Sequence, residues 1–401
     1  MSYVIDRLDD LGRGITSVDG KTCFVSNALP QEEVEIEIVG EKKKYLDARA
    51  INIKECNDRR EPICPFFLEC GGCNIMHMKY DMQLKFKENK VKNILNKFAS
   101  ISNVVKDIIP SKEISYRNKV ILKVKDGKIG FFKDKTHDLI SIDKCLLCKE
   151  SINRVIKILN NYYLSNIEEV LIRSNYKDEI LLCFKGSKID KNLYDIDVDN
   201  IVIVENNKKK IIKGNDFFID KIGNKLFKVS IDSFFQVNYI AVEELYKIVL
   251  EYASLTGKEK VLDLYCGTGT IGIFLSENAK NVYGIEINKS AVDDANYNKE
   301  LNKISNIDFV CNDVGHEKRR FNNVDLVVID PPRSGLDNFA INNIVAILPK
   351  KIIYVSCDPV TLARDLNILK EKYQIKKVIP VDMFPNTYHV ECVCLLMKKK
   401  S

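Results

Sequence analysis

Cys357 has the most promising chemical position among the 13 cysteines of this chain. It follows the apolar, β-branched run at 352–355 and precedes Asp358-Pro359, a pattern that predicts a strand ending directly before the thiol. Open α/β sheets bind their ligands at the carboxyl ends of strands. A thiolate is a nucleophile, and Glu391 supplies a carboxylate further along the chain. We therefore expect a thiol nucleophile beside a bound nucleotide-like cofactor.

A glycine-rich turn follows a second apolar strand in the segment 261–272. Gly267 and Gly269 let the backbone pass close to a ligand, because glycine has no Cβ to clash with it. Glu286 ends the next strand, 19 residues after Gly267, where a carboxylate can accept from two ribose hydroxyls. With Asp263 in the strand before the turn, this combination favours S-adenosylmethionine over NAD. A tight turn without a ligand is the alternative.

Three cysteines lie within ten residues near the N-terminus: Cys64, Cys70 and Cys73, with Gly71-Gly72 between the last two. The paired glycines permit the tight wrap that several thiolates around one centre require. A closed site needs a fourth ligand. The candidates are His77, Cys145 and Cys148. Three cysteines with His77 suit zinc, four thiolates suit an iron–sulfur cluster, and the spacing does not decide between them.

Three regions are predicted to position these groups. Short strands with glycine and proline turns predict a small β-barrel over 1–58. Mixed strands and helices, among them an amphipathic helix from Tyr80 to Phe98, make 59–230 a mixed α+β central domain that contains the cysteine cluster. From 231 to 401, strand-like and helical stretches alternate, which predicts a parallel, doubly wound, Rossmann-like sheet. The fold class is therefore α/β.

Composition narrows the class of protein. The 401 residues are 45% hydrophobic and 29% charged, as in ordinary globular proteins. No apolar run approaches the ~20 residues that span a bilayer, and the first residues lack a signal-peptide core. We expect a cytoplasmic protein without membrane partners, whose cysteines are thiols or metal ligands. Residues 74–150 have 17 Lys and Arg against 9 Asp and Glu, a surplus typical of a nucleic-acid footprint or of a solvated lysine-rich face.

Taken together, the motifs resemble those of the S-adenosylmethionine-dependent RNA uridine-C5 methyltransferases, which make 5-methyluridine. The resemblance covers nearly the whole chain, and its N-terminal part resembles a TRAM domain, an OB-like barrel. The motifs that carry it are Phe24-Val25 with Ala28-Leu29-Pro30, the Cys64–Cys73 cluster, Phe235-Gln236-Val237-Asn238, Asp263-Leu264-Tyr265-Cys266-Gly267, Asp330-Pro331-Pro332-Arg333, Ser356-Cys357-Asp358-Pro359 and His389-Val390-Glu391.

The resemblance implies a role for each matching residue. Cys357 would be the nucleophile and Glu391 the base. The S-adenosylmethionine pocket would be lined by Gln236, Tyr265, Glu286, Asp313 and Asp330. A [4Fe–4S] cluster would be ligated by Cys64, Cys70, Cys73 and Cys145, with Cys148 as a register ambiguity. Two departures from the family pattern are Asp358, where asparagine is usual, and Gln31, where glycine is usual. An acid beside the nucleophile disfavours its thiolate unless the acid points away.

The chemistry explains why such residues are needed. A thiolate that adds to C6 of uracil turns the ring into an enolate, and C5 can then attack the sulfonium methyl group. A carboxylate must afterwards remove the C5 proton. The target uracil would be flipped out of folded RNA to reach the thiol. The rigid turn at Asp330 would lie beside it, and the Asp330 carboxylate could bind either the cofactor or the uracil.

By family analogy, 23S rRNA is favoured over the tRNA T-loop as the substrate, and we expect a monomer. The competing hypotheses are a non-catalytic RNA-binding protein with a redox-sensing cluster and a cytosine-C5 methyltransferase. The first would tolerate replacement of Cys357.

Overall fold

The structure, a computed structural model, describes residues 1–134, 136–314 and 323–400. Three larger sheets and one hairpin follow one another along the chain. None of the described helices is long and apolar enough to cross a membrane. The α/β class predicted from the alternating strand and helix patterns is confirmed.

A six-stranded sheet forms from the first 54 residues, with the strand order β1-β5-β6-β4-β3-β2. Alternating residues of these strands face a buried core that contains Val25, Val34 and Ala48, as expected for strands with one solvated face. The short strands predicted from glycine and proline punctuation are present. The strands are β1 (Ser2–Val4), β2 (Arg7–Leu8), β3 (Gly14–Val18), β4 (Lys21–Ser26), β5 (Glu33–Glu41) and β6 (Tyr45–Lys54).

The central part of the chain combines a long helix with a seven-stranded sheet of order β13-β12-β11-β10-β7-β8-β9. The helix predicted from Tyr80 to Phe98 extends over Tyr80–Ala99 and buries Phe86, Val91 and Leu95. The elements are α1 (Tyr80–Ala99), β7 (Lys119–Lys125), β8 (Lys128–Phe132), β9 (Leu139–Ser141), α2 (Glu150–Leu159), β10 (Ile167–Ser174), β11 (Ile180–Gly186), β12 (Asn200–Glu205) and β13 (Lys208–Lys213).

A hairpin and a second seven-stranded sheet complete the fold. The hairpin is formed by β14 (Phe217–Ile222) and β15 (Lys225–Ser230). The elements after it are α3 (Ala241–Ala253), β16 (Lys260–Leu264), α4 (Thr270–Leu275), β17 (Asn281–Glu286), α5 (Lys289–Leu301), β18 (Ile307–Cys311), β19 (Leu326–Ile329), α6 (Asn338–Ile347), β20 (Lys351–Ser356), α7 (Pro359–Leu369), β21 (Tyr373–Val381) and β22 (Glu391–Lys398).

The order of this last sheet is β18-β17-β16-β19-β20-β22-β21. The first five strands are parallel, and β22 runs antiparallel between β20 and β21. The parallel arrangement was predicted from the sequence. In this order, β17 and β18 lie on one side of β16, whereas β19 and β20 lie on its other side. The switch point, where such sheets bind their ligands, therefore lies at the carboxyl end of β16.

Apolar packing joins the regions closely. Phe218 and Phe227 of the hairpin share one buried core with the helices and strands after residue 240, and Val91 and Leu95 of α1 share a second core with Leu366 of α7. The proposed domain limits at residues 58 and 230 stay predictions. What matters for the site is that α1 packs directly on α7 and β21 of the last sheet layer.

Candidate active site

One edge of the parallel sheet gathers the predicted site residues. Each parallel strand from β16 to β20 ends at this edge, and antiparallel β22 begins there. Because the carboxyl ends of adjacent parallel strands meet, residues far apart in sequence become neighbours. The residues within or directly after these strand ends are Asp263, Glu286, Asp313, Asp330, Cys357 and, at the start of β22, Glu391.

The turn after β16 has an unusual backbone shape. Tyr265 and Gly267 both have positive φ angles, of 60° and 53°. Among the described residues, no atom lies within 4 Å of the point where a Cβ of Gly267 would stand. The Gly267 N–H donates to Oε2 of Glu286 at 3.1 Å. The turn therefore presents an open concavity beside a half-buried carboxylate, which suits a ribose.

Asp263 lies under this turn. It is fully buried, and its Oδ2 accepts from the Gly272 N–H at 2.9 Å. Its Oδ1 accepts no hydrogen bond from any described residue. Burial, Asp330 and Glu286 raise the pKa of Asp263 to about 8. Several carboxylates so close together, one of them unpartnered, fit a cationic ligand, and S-adenosylmethionine has a sulfonium and an ammonium group.

Cys357 and Glu391 are brought together by strand pairing. Ser356 of β20 pairs with Cys392 of β22 in an antiparallel register, so the next residues outward on the two strands are Cys357 and Glu391. Glu391 is 5% exposed, and Cys357 is half-buried. The thiol is therefore partly accessible from outside, whereas the neighbouring carboxylate is buried.

Burial is the main reason why the pKa values of Cys357 and Glu391 are raised. Burial, Glu391 and Asp330 raise the pKa of Cys357 to about 11. Burial and Asp330 raise the pKa of Glu391 to about 8, and burial raises the pKa of Asp330 to about 7. The exposed guanidinium of Arg333 opposes the shift at both Cys357 and Glu391. At neutral pH, Cys357 and Glu391 are therefore held largely in their neutral forms, and Arg333 favours the ionisation of both.

Asp358 does not face the thiol in the way its position suggested. Its Oδ1 accepts from the N–H groups of Val360 and Thr361, at 2.8 and 3.1 Å, and so caps the N-terminus of α7. Its contribution to the pKa of Cys357 is the smallest of those that raise it. The Asp-Pro pair in front of a helix is the signal that predicts such a cap. An asparagine would fill the same role.

Two predicted cofactor residues lie at the margins of the site. Asp313 is half-buried, two residues beyond β18. Gln236 lies between β15 and α3, and its backbone carbonyl accepts from the Asn118 side chain at 3.3 Å. Gln236 therefore lies where the central sheet region meets the elements that follow the β14–β15 hairpin.

The cysteines near the N-terminus share a cavity of about 270 Å³ with Cys145, which lies between β9 and α2. Cys64, Cys70, Cys73 and Cys145 all line it, together with aromatic side chains of Phe66, Phe131 and Phe132. Cys148 does not line the cavity. It is fully buried and hydrogen-bonds with Cys145. Of this pair, Cys145 is the member that lines the cavity with the other three thiols.

A single metal ion has no ready site here. Among the described residues, no group of three or more His, Cys, Asp or Glu side chains is arranged around one ion. His77 does not line the cavity; its ring lies 5.5 Å from that of Phe67. The zinc site with His77 therefore has no support. A cluster of four irons is larger than one ion and would need thiols placed around a wider cavity.

Long-range contacts that had no local sequence signal hold the segment before Glu391. Lys87 of α1 and Asp382 form a fully buried ion pair, and Lys87 also donates to the Phe384 carbonyl at 2.9 Å. Tyr80 donates to Asp382 at 3.0 Å. These partners lie about 300 residues apart, so neither spacing nor periodicity could have paired them.

A parallel sheet with a final antiparallel strand, a glycine turn and an acid at the end of the second strand define a class I S-adenosylmethionine-dependent methyltransferase. The tRNA (Uracil-5-)-methyltransferase family model matches residues 79–399, and the TRAM domain model matches residues 4–51. The chain belongs to this family of RNA uracil-5-methyltransferases, as its motifs predicted.

Similar proteins agree with this assignment. An uncharacterized RNA methyltransferase of Clostridium acetobutylicum is 36% identical over 98% of this chain and 96% of its own length. One from Clostridium tetani is 38% identical over 96% of this chain and 93% of its own. The crystal structure of the Pyrococcus abyssi tRNA (uracil-54, C5)-methyltransferase in complex with S-adenosyl-L-homocysteine is 28% identical, covers 99% of both chains and has a TM-score of 0.81.

Proposed function

We propose that this enzyme transfers the methyl group of S-adenosylmethionine to C5 of a uridine in RNA, through a covalent bond between Cys357 and C6. The observation that carries the proposal is the register of β20 and β22, which sets a reachable thiol against a buried carboxylate at the cofactor edge of the sheet. A nucleophile beside a base is the arrangement that covalent catalysis requires.

Each step uses a group at this edge. Addition of the Cys357 thiolate to C6 moves the ring electrons to the C5–C4–O4 enolate. C5 then attacks the sulfonium methyl group, and S-adenosylhomocysteine leaves. The Glu391 carboxylate takes the C5 proton, the ring double bond re-forms, and the thiolate departs from C6. Because the pKa of Glu391 is about 8, the ionised form that acts as the base becomes more abundant as the pH rises.

The cofactor would lie along the ends of β16, β17 and β19. Glu286 is proposed to accept from the ribose hydroxyls, since it already borders the open turn at Gly267. Gln236, Tyr265, Asp313 and Asp330 complete the proposed pocket. Asp263 and Asp330 lie where positive charge on the ligand would relieve their shared repulsion.

The substrate we propose is a uridine of 23S rRNA, on the resemblance to the ribosomal RNA enzymes with a TRAM domain and a cysteine cluster. A tRNA uridine is the second candidate, favoured by the similarity over 99% of the chain to the Pyrococcus abyssi enzyme. In both cases the target base must leave its stack to reach Cys357, and the enzyme is proposed to act as a monomer.

The cavity lined by Cys64, Cys70, Cys73 and Cys145 is proposed to hold a [4Fe–4S] cluster. Four thiols around one cavity with apolar walls fit the ligand set of such a cluster. When bound, the cluster would cross-link the loop of residues 64–73 to the loop at Cys145.

The test is methyl transfer from labelled S-adenosylmethionine to separate 23S rRNA and tRNA transcripts, followed by mapping of 5-methyluridine. We expect product with one of the two RNAs for the wild-type enzyme and none for Cys357→Ala. Cys56 is a half-buried thiol outside the site. Cys56→Ala is therefore the matched control and should keep wild-type turnover. Methylation by Cys357→Ala, or methylation at a position other than uridine C5, would contradict the proposal.

A further inference from the structure

A polar cavity of about 230 Å³ lies between the central sheet region and the elements that follow it. We call it the Asp220 cavity. Its walls come from the ends of β10 and β14, from the residue before β7 and from the starts of α2 and α3. Among the described residues, neither Cys357 nor Glu391 lines it. The cavity therefore has no part in the chemistry proposed above.

Asp220 places an incompletely bonded carboxylate in this cavity. Its side chain is buried, with the residue 3% exposed, and Oδ1 accepts from the N–H groups of Tyr176 and Lys221, both at 2.9 Å. No described residue donates to Oδ2. Burial raises the pKa of Asp220 to about 6, so the carboxylate is still ionised at neutral pH. A buried charged oxygen without a donor is costly unless a ligand supplies one.

Asn118 supplies a second free acceptor from a different part of the chain. It lines the same cavity and is 5% exposed. Its Nδ2 donates to the Gln236 carbonyl at 3.3 Å, and its backbone N–H donates to the Val237 carbonyl at 2.9 Å. These bonds fix the side-chain amide, while Oδ1 accepts from none of the described residues. Two free acceptors call for a ligand with N–H donors.

Tyrosine rings and lysines border the cavity. Tyr176 and Tyr239 line it and are both exposed. The Nζ of Lys149 lies 5.2 Å from the ring centre of Tyr239, and Lys221 is a second lysine of the lining. Cations in the wall disfavour a metal ion as the ligand. Exposed aromatic rings stack on nucleobases, and lysines attract phosphates.

The size of the cavity narrows the choice further. Pockets that enclose whole small molecules measure about 300–1,000 Å³, so this one suits a single base ring with its ribose and phosphate outside. Adenine, cytosine and guanine have exocyclic amino groups that donate to such acceptors. Uracil has two carbonyl oxygens beside its one ring N–H, and these would be repelled by the free acceptors. The cavity therefore favours an amino-bearing base over a second uracil.

We propose that the Asp220 cavity binds an unstacked, amino-bearing base of the RNA substrate, distinct from the target uridine. Asp220 and Asn118 accept from the amino edge of this base, and the Tyr176 ring packs against it. The inference rests on the proposed function in one respect, namely that the substrate is RNA. Proteins read RNA sequence mainly at bases that are splayed out of their stack, so this cavity contributes to the choice of RNA.

Binding of labelled oligoadenylate, oligocytidylate and oligouridylate of equal length tests the proposal. The wild type should bind at least one of the first two about tenfold more tightly than oligouridylate. Asp220→Asn keeps the Oδ1 acceptor but replaces the free oxygen by an N–H donor, and should abolish this preference. Asp199→Asn is the matched control. Asp199 is exposed and accepts from the Ile180 N–H at 2.7 Å, so the same charge is removed outside the cavity and the preference should remain.

Two further measurements separate the base pocket from a structural role. Tyr176→Ala should weaken binding of all three strands by about tenfold, whereas Tyr176→Phe should bind them as the wild type does, because stacking does not depend on the hydroxyl group. On a transcript that the wild type methylates, Asp220→Asn should raise the KM for RNA about tenfold. Its kcat and its binding of S-adenosylmethionine should stay at wild-type values.

Four results would overturn the inference: equal wild-type affinity for the three strands, a retained preference in Asp220→Asn, unchanged binding by Tyr176→Ala, or tighter binding of all strands by Asp220→Asn but not by Asp199→Asn, which would mark a phosphate site. Failure of the proposed function gives a different result. In that case the wild type forms no 5-methyluridine on either 23S rRNA or tRNA, while the base preference and its loss in Asp220→Asn are still measured.

Discussion

Replacement of Glu391 by glutamine separates its chemical role from its effect on stability. The carboxyl group is buried beside Asp330, and its pKa is raised from 4.5 to about 8. A folded-state pKa above the unfolded value means that folding favours the protonated acid. The contribution to stability is therefore fully present below about pH 4.5 and is lost as the pH rises toward 8. Glutamine has a similar shape and never ionises.

The size of the effect follows from linkage. With pKa values of 4.5 unfolded and about 8 folded, the buried carboxyl lowers the free energy of unfolding at pH 7 by about 3 kcal/mol. Glu391→Gln should remove this penalty. Its free energy of unfolding should exceed that of the wild type by about 3 kcal/mol at pH 7 and by close to zero at pH 4.5.

Urea unfolding between pH 4.5 and 8, in the absence of S-adenosylmethionine, measures this difference. Glu371→Gln, at an exposed position, is the control and should show no such pH-dependent gain. The same Glu391→Gln protein, given RNA and S-adenosylmethionine, should accumulate a protein–RNA adduct that survives denaturation, because C5 keeps its proton.

Two results would refute the reasoning. A stability difference that does not grow with pH would show that Glu391 is not held in its neutral form by burial. Rapid product release by Glu391→Gln without any adduct would show that another group removes the proton. The two outcomes are independent, so each tests one part of the account.

The other predictions concern the nucleophile, the helix cap, the buried ion pair and the cavity. Cys357→Ala should abolish methyl transfer and adduct formation while S-adenosylmethionine still binds, as isothermal calorimetry would show; turnover by this variant would contradict the mechanism. Asp358→Ala should lower the free energy of unfolding by about 1 kcal/mol, whereas Asp358→Asn should leave it nearly unchanged, because both residues cap helices well; equal losses would argue against the cap. Lys87→Met should cost about 3 kcal/mol in denaturant unfolding, since Asp382 is then buried without its cation; a neutral result would mean that water reaches Asp382. Anaerobic purification should give a brown protein with about four irons, and a colourless protein rich in zinc would contradict the cluster.

The parallel sheet and its reactive edge could be predicted from the sequence because their signals are local. Apolar β-branched runs mark the strands, and the residue type at each strand end marks the chemistry. Cys357 directly follows β20, and Glu286 ends β17, as the pattern of the chain indicated. The helix α1 was equally visible from its apolar spacing.

What the sequence could not reveal depends on contacts between distant segments. The order of the seven-stranded central sheet, β13-β12-β11-β10-β7-β8-β9, depends on pairing between strands that are not consecutive in sequence, such as β7 with β10. Lys87 and Asp382 form their ion pair only when α1 packs against the segment after β21, and neither charge has a partner near it in the sequence. The role of Asp358 as a helix cap, by contrast, follows from a local signal, its position directly before Pro359 at the start of α7.

The position of β22 has a consequence for how the protein is made. Its two neighbours, β20 and β21, are both synthesised before it, and it must insert between them. Until residues 391–398 leave the ribosome, β20 has an unpaired edge and Cys357 has no partner acid. Chains usually fold as they emerge, so here the thiol is exposed early and the base arrives last. Catalytic competence is thus acquired in one late step, when β22 inserts between β20 and β21.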